Sequence, residues 1–140
     1  MGKMGVVSVG ILLALVSLLS GCKVAILVVE GGDVESASGT YTCLEGNICV
    51  IEITTTDFNE TFIAKPAEGY EFSHWLKGGG TFCGDSTDPN CRLLTTIFAG
   101  NDAVAPILAS DKIFYLLPVF AKLPPPPPPP PPTPPGETYG

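Results

Sequence analysis

The sequence predicts a small, mainly β domain stapled by two disulfides, and three observations predict it. Val, Ile, Thr, Phe and Tyr fall in short runs bounded by Gly, Asn and Asp, the pattern of strands joined by turns rather than of helices. Four cysteines, Cys43, Cys49, Cys83 and Cys91, lie within that stretch. The stretch ends abruptly at nine consecutive prolines, Pro124 to Pro132.

Taken in order, strands are expected over 24–30, 33–36, 49–54, 60–65, 70–76, 92–97 and 113–121. Gly31-Gly32-Asp33 predicts a tight hairpin between the first two, and Lys77-Gly78-Gly79-Gly80 a looser turn. Ile51, Ile53 and Thr55 alternate with Glu52, Thr54 and Thr56, so one face of that strand is expected to be buried and the other wet. Tyr70, Phe72 and His74 alternate against Glu71, Ser73 and Trp75, and alternation alone leaves the inward face of that strand open. The one helix candidate is 101–110, where Pro106 is an unfavourable interior residue.

Ahead of the domain stands a different kind of segment. Residues 1–5 carry one positive charge, Lys3; residues 6–20 are an almost purely apolar run; and Leu19-Ser20-Gly21-Cys22 follows directly. That is the order of charged region, apolar region and small-residue cleavage site in an exported precursor. The run is shorter than the roughly 20 apolar residues that span a bilayer, and Gly21 and Lys23 interrupt any extension of it. The expected organisation is therefore a signal peptide, 1–21, whose helix is removed; a β-rich domain, 22–123; and a Pro-rich extended tail, 124–140.

Leu19-Ser20-Gly21-Cys22 resembles the lipobox of bacterial lipoproteins at every position. The resemblance implies transfer of a diacylglyceryl group to the Cys22 sulfur, cleavage between Gly21 and Cys22, and further acylation of the new amino terminus. Two or three acyl chains hold a soluble domain where one gives only marginal membrane binding. The family's inner-membrane retention signal is Asp after the cysteine; Lys23 stands there instead, which implies a bacterial outer membrane.

Removal of the leader leaves 119 of the 140 residues, enough for one modest core. Seven Lys and Arg face 14 Asp and Glu; Lys3 leaves with the leader, so the mature balance is six against 14, formally minus eight. Such a surface lacks the basic stripe that nucleic-acid binding needs. In an oxidising compartment four cysteines read as two disulfides. Of three possible connectivities the local one, Cys43 with Cys49 and Cys83 with Cys91, closes the shortest loops and is the expectation. A zinc site is the rival, and spacings of six and eight residues do not match paired CxxC ligands.

Beyond the leader, Gly32-Asp33-Val34-Glu35-Ser36, then 39–43, Cys49, and Thr61 through Trp75 are similar to the divergent B-repeat domain of internalin-like bacterial surface proteins. Cys83 to Cys91 and the closing Val119-Phe120 follow in the family's order. The resemblance implies a compact β-grasp-like or all-β module used at cell surfaces for adhesion or spacing, with no catalytic residues. The chain departs from the pattern in carrying one copy, in the longer stretch 93–110, and in Leu116-Leu117-Pro118 interrupting the last strand.

Little catalytic chemistry is in prospect. His74 is the single histidine, no GxSxG or HExxH motif is present, and cysteines in disulfides are not nucleophiles. Asp85, Asp88 and Asn90 cluster in the second cysteine loop and are weak candidates for calcium, which takes six to eight oxygens; Asp, Pro and Asn also make ordinary turns. No cofactor is expected. The polyproline run favours an extended helix of about 3.1 Å per residue, so its nine residues reach roughly 28 Å as a stiff stalk or a docking segment. The sequence thus predicts a non-enzymatic, lipid-anchored envelope protein with a structural or adhesive module. A calcium- or glycan-binding surface module is the alternative, and the expected partners are the membrane through Cys22 and an envelope protein or glycan.

Overall fold

The computed structural model describes residues 21–96, 100, 102–103, 105–108 and 110–136. The expected signal helix, residues 1–20, the expected strand end at Ile97 and the last four residues of the tail lie outside them. The fold is mainly β. Its strands are β1 (Cys22–Leu27), β2 (Gly32–Ser36), β3 (Thr42–Cys43), β4 (Ile48–Ile53), β5 (Asn59–Pro66), β6 (Tyr70–Trp75), β7 (Asn90–Leu94), β8 (Ile113–Leu116) and β9 (Pro118–Lys122). One helical turn, α1 (Ala105–Leu108), falls within the expected helical stretch. Pro106 sits in its first turn, where a missing N–H costs little.

Three sheets form. The first has the order β4-β1-β8, with β1 antiparallel to β4 and parallel to β8. The second has the order β3-β2-β5-β7 and is antiparallel throughout; the third pairs β6 with β9. A parallel pair needs a long crossover, and here nearly the whole domain lies between β1 and β8.

The hairpin expected at Gly31-Gly32-Asp33 does not form. β1 and β2 belong to different sheets, and the glycines carry the chain from one to the other. Gly31 has φ +87°, a left-handed value that favours glycine. At Gly32 space is the constraint: a Cβ there would collide with the Lys65 carbonyl and approach the Phe120 ring to 2.7 Å. The actual hairpin is β2–β3, with Ser36 N–H donating to the Tyr41 carbonyl (2.9 Å) and Gly39 at φ +76° in the turn. The expected last strand is also two: Leu117 separates β8 from β9, which lie in different sheets. Pro118 begins β9, which pairs only with β6, so its lack of a donor is tolerated.

Alternation selects the core. Val24 and Ile26 on β1, Ile51 and Ile53 on β4, Phe62 and Ala64 on β5, and Leu93 on β7 face inward and join Val34, Trp75, Leu116 and Phe120 in one cluster. Thr55, expected on the buried face with Ile51 and Ile53, lies past the end of β4 and is exposed. The open face of β6 is decided by a β-bulge between Phe72 and His74. An extra residue shifts the side-chain phase, so Phe72 and Trp75 come together, ring centroids 5.3 Å apart, although they are three positions apart in sequence. Phe72 also meets Phe120 edge-on at 6.0 Å.

Gly32→Ala is expected to lower stability by about 1–3 kcal/mol or more, because a backbone carbonyl cannot move aside as a side chain can. A urea denaturation midpoint unchanged by this substitution would contradict the close approach of β2 to Lys65 and Phe120.

Candidate functional site

Two disulfides form, Cys43–Cys49 and Cys83–Cys91, in the local connectivity expected. The first ties β3 to the neighbouring sheet through β4, since Cys43 lies on β3 and Cys49 on β4. The second closes the loop 83–91 over β6. Trp75, at the end of β6, organises that loop: it is fully buried, and its indole Nε1–H donates to the Asp88 carbonyl at 2.8 Å. The Trp75 backbone adds two bonds, its N–H to the Ser86 carbonyl (3.0 Å) and its carbonyl from the Asp85 N–H (2.9 Å). Cys83 and Asp85 take left-handed backbone values, φ 56° and 67°, on either side of Gly84. A Cβ on Gly84 would stand 3.0 Å from the Lys77 Cα, so the loop lies flat against the strand's exit.

The three calcium candidates, Asp85, Asp88 and Asn90, each take part in local bonds. Asp85 forms an ion pair with Lys77 at 2.8 Å, and this exposed pair holds the Lys77 ammonium above its usual range through a hydrogen bond and charge. Asp88 Oδ1 accepts from the Asn90 N–H (2.9 Å) and from Asn90 Nδ2 (3.0 Å), so the amide acts as donor to a carboxylate. Among the described residues no group of three or more His, Cys, Asp or Glu side chains is placed to hold a metal ion. His74 is half-buried, with its Nδ1 2.8 Å from the Ser73 hydroxyl; no carboxylate or thiol is bonded to it among the contacts of the described residues. A shallow depression of about 170 Å³, lined by Val29, Glu30, Pro118, Val119 and Phe120, is below the usual size of a ligand pocket.

Glu60 is a buried carboxylate with a structural explanation. It accepts from the Ser38 hydroxyl and N–H and from the Thr61 N–H, pinning the β2–β3 turn to β5. Ser38 and Glu60 are 22 residues apart, which is why no local pattern announces the contact.

Cys22 is the fifth cysteine and the one left as a free thiol. It opens β1 opposite Ile53, faces inward with Val24 and Ile26, and is 3% exposed. Burial pushes its thiol above the ordinary 9.0, because the thiolate is disfavoured away from water. Gly21 before it is held close, a Cβ there meeting the Ile53 carbonyl at 3.1 Å.

A surface feature was not foreseen from the sequence. The outward side of β4-β1-β8 carries exposed Ile48 and Val50 on β4 (68% and 57%) and Ile113 and Tyr115 on β8 (46% and 37%), while between them on β1 Leu27 is half-buried and Ala25 is buried. The signal was present in Ile48-Cys49-Val50-Ile51, where apolar residues fill both phases of a strand that should have one wet face. The tail by contrast extends exposed through Gly136, after the Leu123 N–H bonds the Gly69 carbonyl at 2.8 Å. Among the described residues no helix is long and apolar enough to cross a membrane. No family model, curated protein or solved structure matches the chain.

Two outcomes are expected. Replacing Cys83 and Cys91 together by Ala should cost roughly 2–3 kcal/mol from the released loop closure alone, and hydrogen exchange at the Trp75 and Asp85 amides should rise more than at β1. In the unacylated domain, the neutral Cys22 thiol contributes stability in full below pH 9.0; that contribution is lost as pH rises through 9.0 toward the higher folded value. Urea midpoints of parent and Cys22→Ala should therefore differ by a constant below pH 8 and converge above pH 9; a constant difference throughout would contradict the burial.

Proposed function

We propose that this chain is a non-enzymatic, lipid-anchored protein of the bacterial cell envelope, whose β module makes structural or adhesive contacts. The observation that carries the reading is Leu19-Ser20-Gly21-Cys22 at the end of an apolar run. The cysteine arrangement supports it: four of five cysteines are consumed in disulfides and the one at the cleavage position is left unpaired. In the reaction the resemblance implies, the Cys22 thiol gives up its proton and forms a thioether bond to a glyceryl carbon of a phospholipid, whose phosphate headgroup departs carrying that proton. Lys23 after the anchor favours the outer membrane.

The adhesive or structural part of the reading draws on the B-repeat resemblance, and the elements lend it support. Gly32 to Ser36 is β2 of a hairpin, Pro66 ends β5, Tyr70 to Trp75 is β6, and Phe120 closes the core from β9. The segments that carry the similarity thus each coincide with a strand or a core position of the module, which β1 precedes. The polyproline run then extends away from the domain as a stalk.

Expression of the full chain in a lipoprotein-processing bacterium should place it in the membrane fraction. Intact mass should show loss of residues 1–21 and gain of a diacylglyceryl group. Cys22→Ser should abolish both, since a hydroxyl cannot replace the thiol. A mature protein of unmodified mass, released into the medium, would overturn the proposal.

A further inference from the structure

The outward face of β4-β1-β8 is laid out in register. Val50, Ala25 and Tyr115 form one row across the three strands, Ile48 and Leu27 a second, and Glu52, Lys23 and Ile113 a third. Two rows are therefore wholly apolar apart from the Tyr115 hydroxyl, and the charged row lies at the Cys22 end. Of the 14 Asp and Glu in the chain, Glu52 alone projects from these rows, and Lys23 stands directly opposite it. Lys112 is beside them, its carbonyl accepting from the Lys23 N–H at 3.0 Å. One acidic residue, matched by a lysine, is thus all the negative charge that these rows carry in an acidic protein, and the anchor residue begins the central strand of the sheet.

We propose that this face rests on the lipid surface, its occupant being the headgroup and upper acyl region of a bilayer; the inference builds on the lipid-anchor reading of Cys22. No linker separates anchor from sheet. Because β1 starts at Cys22, its far end at Leu27 is within about 20 Å of the acyl chains, and exposed Ile48, Val50 and Tyr115 lie over that span. Apolar side chains near a bilayer gain by entering it, and tyrosine suits the boundary between hydrocarbon and water. Lys23 and Lys112 can lift their ammonium groups into the headgroups while their stems stay low. Membrane contact along β1 lays the sheet flat and leaves β3-β2-β5-β7, whose inward residues share the core with the other face of β4-β1-β8, to the other partners of the envelope.

The test uses the full, acylated protein in phosphatidylcholine vesicles containing a nitroxide-labelled lipid. With the native cysteines acylated or oxidised, a fluorophore is placed on Val50→Cys or Tyr115→Cys, and for comparison on Glu35→Cys or Glu71→Cys, exposed positions on the other two sheets. Val50 and Tyr115 labels should be quenched several-fold more strongly than the other two. Equal quenching at all four overturns the proposal, as does protection of the Val50 label by self-association of the protein without lipid quenching. Intact mass of the same samples separates the two levels: an acylated protein with equal quenching sinks only the face, whereas an unacylated protein absent from the vesicles sinks the anchor and the face together.

Discussion

The buried Trp75 indole, donating to the Asp88 carbonyl, is the contact on which the seating of the 83–91 loop against β6 depends. A buried N–H without a partner is costly, so the carbonyl must be delivered to it, and residues 83–91 are the strap that does so. The strap's shape follows from that requirement: left-handed Cys83 and Asp85 turn it sharply, Asp85 and Ser86 bond the Trp75 backbone, and the disulfide to Cys91 closes it against β7. Seen this way, the acidic residues of the loop are turn formers. Asp88 holds the Asn90 N–H and so sets the entry to β7.

The same indole explains the irregularity in β6. Without the bulge at Phe72/His74, Phe72 and Trp75 would point to opposite sides, and one large aromatic would be wet. With it both rings enter the core beside Phe120, and a modest disruption of the ladder is offset by burial of two aromatics, each worth about 1.5–3 kcal/mol. Gly32 is linked to that cluster, since the Phe120 ring lies where its side chain would be. The glycines read as a hairpin turn are thus a point of close approach between sheets.

Strands and cysteine pairing were legible in the sequence because both are short-range. Period-two runs mark β2, β4 and β5 within a residue or two of their ends, and loops of six and eight residues favour local disulfides. What was not legible depends on partners far along the chain. The parallel β1–β8 pairing joins Lys23 to Ile113, the Ser38–Glu60 contact crosses 22 residues, and β3 is too short for its pattern to show. The phase of β6 was undecidable by alternation for a reason now visible: a bulge breaks the alternation itself. Leu117, a residue with no turn propensity, divides the last strand because β8 and β9 serve different sheets.

Cys22 poses the sharpest question of order. In the folded domain its sulfur faces the core, nearly sealed, with its thiolate disfavoured. A glyceryl thioether with acyl chains has no room there, and an enzyme has no path to it. If Cys22 is the anchor, acylation must precede the docking of β1, while the chain is still extended at the membrane. Afterwards the first rung, Cys22 opposite Ile53, has to open to let the lipid out. The energies permit this. Exposing one small side chain costs about 1 kcal/mol, whereas two acyl chains bring about 0.8 kcal/mol for every CH₂ they bury in the bilayer. The rung that would give way is the terminal one, so β1 from Lys23 onward would keep its pairing with β4 and β8, and a lipid on Cys22 would leave at the edge of the apolar face rather than through the core.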